Sequence, residues 1–221
     1  MTTSTSAQNK PSTWQIALGA EGIAAAQFAR CGFDVSVQSG RDKPWYELAV
    51  SKAGNLLKVS VKGSDDGRWD LTQSYLKRAA DMSGKKSNCQ GAIDLWLDHL
   101  GSRAMCCLVQ FQAVAIDQLP RIYLASPKEI AQRLRGAAKG RGDTILYEEC
   151  EWVYPDEEAG TPEKLPTGWR FSLERIEELL AIQEAVPIRR PPLPGVASSP
   201  LAWPTSDRLP NKERANLILS A

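Results

Sequence analysis

Trp45-Tyr46-Glu47-Leu48-Ala49-Val50, then Ser51-Lys52-Ala53-Gly54-Asn55, then Leu56-Leu57-Lys58-Val59-Ser60-Val61-Lys62 is the stretch whose reading decides the fold. The outer segments alternate like strands and the middle one is rich in turn formers, so the three together read as a β-hairpin. Parity tests the pairing. Leu48 and Val50 must share a face with Leu57, Val59 and Val61, because side chains two apart point the same way. A loop of two or four residues satisfies this and sets Glu47 opposite Ser60 and diagonal to Lys62. The other face of the hairpin then gathers an acid, a hydroxyl and a lysine, which is the make-up of a site.

Upstream, residues 13–32 read as one helix, with Ser12 or Thr13 as its cap and Gly32 as its stop. The expected buried stripe is Trp14, Leu18, Glu21, Ala25 and Phe28, with a carboxylate in its middle. A buried charge needs a partner or a metal. A Glu21 at the edge of the stripe, with its carboxylate in water, is the plain alternative.

The order of these elements resembles a known family. A helix bearing Gly19-x-Glu21-Gly22, then Gly32-Phe33-Asp34-Val35-Ser36-Val37, then Tyr46-Glu47-Leu48-Ala49-Val50, then Val59-Ser60-Val61-Lys62-Gly63-Ser64 is similar to the PD-(D/E)xK nucleases. The likeness is greatest to the branch of Holliday-junction resolvases and small intron-type endonucleases. It covers residues 13–112 and, more loosely, extends to 182. It implies an α/β restriction-endonuclease-like core of helix, three-stranded hairpin sheet, helix and strand, with flanking helices. It also implies an active site at Glu21, Glu47, Ser60 and Lys62. Two departures stand out: the usual aspartate is Glu47, and the acid two before the lysine is Ser60. In some restriction enzymes that resemble this pattern the following helix supplies the missing acid. Asp70, Asp81 and Asp94 are the candidates for it.

The resemblance also implies the chemistry: hydrolysis of a phosphodiester, most often in DNA, with Mg²⁺ or Mn²⁺ held by oxygen ligands. Glu47 would be the main ligand, with the Ser60 hydroxyl or the Val61 carbonyl in a weaker position. Lys62 would orient or help deprotonate the attacking water. Glu21 would act through a bound water or a second ion. Set against this is a simple cross-strand pair of Glu47 and Lys62. A catalytically degenerate nuclease fold, serving as a nucleic-acid-binding or protein-interaction module, is the alternative from another class.

Composition bounds these readings without choosing among them. The 221 residues suit one α/β domain with appendages, and 43% hydrophobic with 24% charged residues is ordinary for a water-soluble chain. A net charge of +1 means that nucleic-acid binding would come from local patches. Lys77-Arg78, Lys85-Lys86 and the loop with Arg133, Arg135, Lys139 and Arg141 are the candidate patches. No apolar run approaches the ~20 residues of a membrane span, and Met1 to Ser6 lacks the apolar core of a signal peptide. Five cysteines with no CxxC spacing suit a reducing cytoplasm. A homodimer is compatible with all of this.

Farther along, residues 33–39 read as the first strand and 70–82 as a helix. Residues 92–100 fit either a packed helix or a strand. Asp94, Asp98 and His99 invite a weak metal reading beside that of a surface pair. Residues 105–114 read as a buried strand and 121–125 as another. Ser126-Pro127 starts a helix that runs to Leu134 or Arg135. Residues 144–154 read as a strand, and Ser172 caps a helix ending near Ile182. Seven of the fourteen prolines fall between Pro187 and Pro210. The expected organisation is therefore a disordered 1–12, a nuclease-like domain 13–182, and a Pro-rich tail 183–221 that could dock a protein partner around Pro191-Pro192-Leu193-Pro194.

Overall fold

The computed structural model describes residues 10–38, 45–84, 88–101, 104–153 and 160–184. Residues 1–9, Lys85, Lys86 and the expected Pro-rich tail from 185 onward lie outside the described residues. Helix α1 (Thr13–Arg30) opens on a capping box: the Ser12 side chain accepts from the Gln15 N–H, and the Gln15 side chain answers the Ser12 N–H. Strands β1 (Asp34–Val37), β2 (Leu48–Lys52) and β3 (Asn55–Ser64) follow as an antiparallel meander. Then come β4 (Arg68–Asp70), a short 3₁₀ turn, α2 (Leu76–Ser83) and α3 (Cys89–Leu100). Strand β5 (Ala104–Gln110) runs parallel to β3, and β6 (Arg121–Ala125) antiparallel to β5. The rest is α4 (Pro127–Gly136), β7 (Ile145–Tyr147), β8 (Glu149–Trp152), β9 (Thr161–Lys164) and α5 (Leu173–Glu184).

The main sheet is five-stranded and mixed, in the order β1-β2-β3-β5-β6, and helices cover both faces. Ala20, Ala24 and Phe28 of α1 and Ile176 and Leu179 of α5 pack on Val59, Val61, Met105, Cys107 and Val109. On the other face Ile93 and Trp96 of α3 and Ile130 and Leu134 of α4 cover Ala104, Cys106 and Leu108. β5 is buried along its whole length, as a parallel strand between two helical layers must be. α1 reaches β3 closely because Gly63 lacks a Cβ; one built there would lie 2.8 Å from the Ile16 carbonyl oxygen and 2.9 Å from the Ala20 Cβ.

The hairpin has the register that parity requires: Leu48 faces Val59, Val50 faces Leu57, and Lys52 faces Asn55. The turn is the two residues Ala53 and Gly54, both left-handed at φ 52° and 85°, which is type I′ geometry and matches the strand twist.

Several expectations need correction. The α1 stripe is not Trp14-Leu18-Glu21-Ala25-Phe28: Trp14 and Leu18 are 70% and 52% exposed. The buried stripe runs through Ala20, Ala24 and Phe28, because small side chains are what close contact with Gly63 admits. Residues 70–82 are not one helix, since Asp70 ends β4 and α2 begins at Leu76. Trp69 pulls that segment into a strand by packing into the core beside Tyr123, with its Nε1–H donating to the Lys62 carbonyl. Residues 92–100 lie within α3. Residues 144–154 divide at Glu148, whose carboxylate takes both Arg121 donors and the Tyr123 hydroxyl.

Candidate functional site

At Glu47 the hairpin gives way to a site. β2 begins at Leu48, while β3 continues through Ser64. The Glu47 N–H still donates to the Val59 carbonyl at 3.1 Å, but no β2 residue lies beyond it in the described ladder. The Val61 N–H donates instead to Glu47 Oε2 at 2.8 Å, so the carboxylate stands in for the missing strand. Its other oxygen, Oε1, accepts from Lys62 Nζ at 3.0 Å. The Glu47 side chain is 8% exposed and that of Lys62 45%, so the pair has one buried end and one open to water.

Ser60 shares the Lys62 face of β3, is buried, and pairs in register with Cys106 of β5. The Cys106 thiol is pushed up to about 12, chiefly by burial; the Lys62 charge pulls the other way, while Glu47 and Glu129 add to the rise. Cys106 therefore lies within electrostatic reach of the Glu47–Lys62 pair. Sequence reading passed over it, although its parity in the run 104–110 puts it on that face.

Other candidate residues are placed differently. Glu21 is half-buried on α1, whose layer lies against the opposite face of β3 from Lys62. Asp70 lines a groove of about 340 Å³ together with Lys62. Asp81 is exposed on α2, and Asp94 is paired with Arg135. Lys77, Arg78, Lys139 and Arg141 are exposed. Arg133 is engaged by Glu163 and the Lys164 carbonyl. His99 is exposed and tilts against Tyr75. Among the described residues no group of three or more His, Cys, Asp or Glu side chains is arranged to hold a metal, which removes the Asp94-Asp98-His99 reading. No disulfide joins any of the five cysteines, and no described helix is long and apolar enough to cross a membrane.

A cation at the Glu47 cluster would meet oxygen donors and compete with the Lys62 ammonium. Each Glu47 oxygen accepts one hydrogen bond and keeps a further lone pair. The Ser60 hydroxyl and the Val61 carbonyl belong to the strand beside it, so the donor set is all oxygen. One carboxylate with waters and substrate phosphate is a usual Mg²⁺ environment.

No protein-family model matches the chain, and no curated protein matches it in sequence. Among solved structures, the bacterial homing endonuclease I-Ssp6803I is similar with a TM-score of 0.40 at 16% identity, over 79% of this chain and 97% of that one.

Proposed function

We propose that the chain is a divalent-metal-dependent nuclease of the PD-(D/E)xK type that hydrolyses phosphodiester bonds in DNA. The observation that carries the reading is the buried Glu47 carboxylate joined to Lys62 Nζ at 3.0 Å where β2 and β3 part. The acid stands one residue before β2 and the lysine on β3, close to the second-strand acid and third-strand lysine that the family resemblance implies. Mg²⁺ or Mn²⁺ would be held by Glu47 with the Val61 carbonyl and Ser60 hydroxyl, and when bound it supplies Lewis-acid stabilisation of phosphoryl oxygens.

The residues' own part follows from their placing. Val61 fixes the carboxylate, which in turn holds the Lys62 ammonium at the open side of the cluster. There Lys62 orients the attacking water and meets the charge that develops on the phosphate. The water oxygen bonds to phosphorus and gives up one proton to solvent, the bond to the leaving sugar oxygen breaks, and that oxygen takes up one proton from solvent. Glu21 and either Asp70 or Asp81 remain candidates to assist, Asp70 being the one that shares a groove with Lys62. Lys77, Arg78, Lys139 and Arg141 would contact the DNA backbone. Incubating plasmid DNA with the protein in Mg²⁺, in Mn²⁺ and in EDTA tests the reading; cleavage must appear with metal and vanish in EDTA.

Ser60 favours a second reading. With no carboxylate there, the fold binds nucleic acid without cutting it. Retention of DNA in a gel shift, with no cleavage in any metal, would be its signature.

A further inference from the structure

The groove beside Lys62 has a lining that the hydrolytic reading does not use. It lies between the start of α1, with Lys10, Thr13 and Ile16, and the end of β3 and its turn, with Lys62, Asp65 and Arg68. We propose that this groove seats one nucleotide of the DNA strand next to the scissile phosphate. The inference rests on the reading of Glu47 and Lys62 as a hydrolytic site.

Three features support it. The first is volume: about 340 Å³ is at the small end of ligand pockets and suits a single nucleotide rather than a longer stretch. The second is position, since Lys62, the partner of Glu47, is itself one of the residues that line the groove.

The third is charge. Lys10 pairs with Asp65 at 3.3 Å with its side chain 74% exposed, and Arg68 pairs with Asp66 at 2.9 Å with its side chain 50% exposed. Exposed pairs of this kind contribute little to stability, so either cation turns to a phosphate at little cost. The lining carries as many carboxylates as cations: Asp65, Asp66 and Asp70 against Lys10, Lys62 and Arg68. Such a wall does not concentrate a free anion. It does suit a nucleotide, whose phosphate accepts from the cations while its base amino groups donate to an exposed carboxylate such as Asp70. The groove reads a strand rather than a phosphate ion.

Backbone amide NMR of Glu47→Gln in EDTA tests this, with an eight-nucleotide single-stranded DNA as the probe. The DNA should shift the Thr13, Gly63, Ser64 and Asp65 amides saturably, while inorganic phosphate at equal phosphorus concentration leaves them in place. Lys10→Glu, at an exposed position, should weaken the DNA roughly fivefold. Shifts confined to other residues, equal shifts with phosphate, or unchanged affinity in Lys10→Glu would each overturn the proposal. The test uses no metal and a variant that the hydrolytic reading makes inert. A silent groove in a protein that cuts DNA therefore defeats only this inference, and an occupied groove in one that never cuts defeats only the other.

Discussion

Replacing Glu47 by alanine separates a structural carboxylate from an ornamental surface pair. The side chain is 8% exposed and accepts from the Val61 N–H at 2.8 Å and from Lys62 Nζ at 3.0 Å. Without it the Val61 N–H is left buried without an acceptor, which costs about 1–3 kcal/mol. Lys62, with 45% of its side chain exposed, can turn to water, so its share is about 0–1 kcal/mol. Relief from desolvating the carboxylate offsets part of this, leaving a net loss of about 2 kcal/mol. For a domain of this size that lowers Tm by about 4–8 °C. Glu47→Gln keeps an acceptor for Val61 and should lose about half as much. Thermal unfolding of the three proteins, followed by circular dichroism at neutral pH, measures both drops. Glu47→Ala melting within about 1 °C of wild type would refute the reasoning.

Other outcomes follow from single contacts. Ser60→Glu should tighten Mn²⁺ at least roughly tenfold by calorimetry while lowering stability, because the position is buried against Cys106; unchanged affinity would mean that the second acid comes from elsewhere. Ala53→Asn should raise stability by about 0.5–1 kcal/mol in urea titrations, since the type I′ turn holds Ala53 at φ 52° and asparagine accepts that conformation more readily. Arg175 is 5% exposed and joins the Leu124 carbonyl, Glu129 and Glu178, so Arg175→Ala should cost about 3 kcal/mol and loosen α5 in hydrogen exchange. Tyr123 is raised from 10.0 to about 12, first by burial and then by its bond to Glu148. The folded state therefore keeps the proton that the unfolded chain loses, and this contribution is complete below pH 10 and fades as pH rises through about 12. Tyr123→Phe should flatten that part of the stability profile.

Much of this was legible in the chain because local pattern and tertiary demand agree. The hairpin register follows from parity, since a slip by one residue would turn Leu48, Val59 and Val61 out of the core. The strand 121–125 and the Ser126-Pro127 helix start were equally plain, the latter because its cap, its N1 proline and the Glu129 reply form one local unit. What was not legible depended on contacts from afar. α1 buries alanines rather than its largest apolar residues because Gly63 brings β3 so close, and nothing within residues 13–30 announces that. β4 exists because Trp69 is held by Tyr123 and the Lys62 carbonyl, and its three residues are too few to show a period. In the candidate site, Glu47 directly precedes β2 and Lys62 lies on the adjacent β3, so parity reached them. Glu21 and the acids after β3 depend on how separate elements stack, and the sequence could not rank them.

The most direct test of the central claim is single-turnover DNA cleavage in Mg²⁺ by wild type and by Glu47→Gln, the variant that keeps size and most of the stability. Placing Glu47 at the reacting centre predicts a cleavage rate at least about 100-fold lower in the variant, about 2.7 kcal/mol of lost transition-state stabilisation. Equal rates for the two proteins would contradict the account and leave Glu47 and Lys62 as an ion pair closing the end of a sheet.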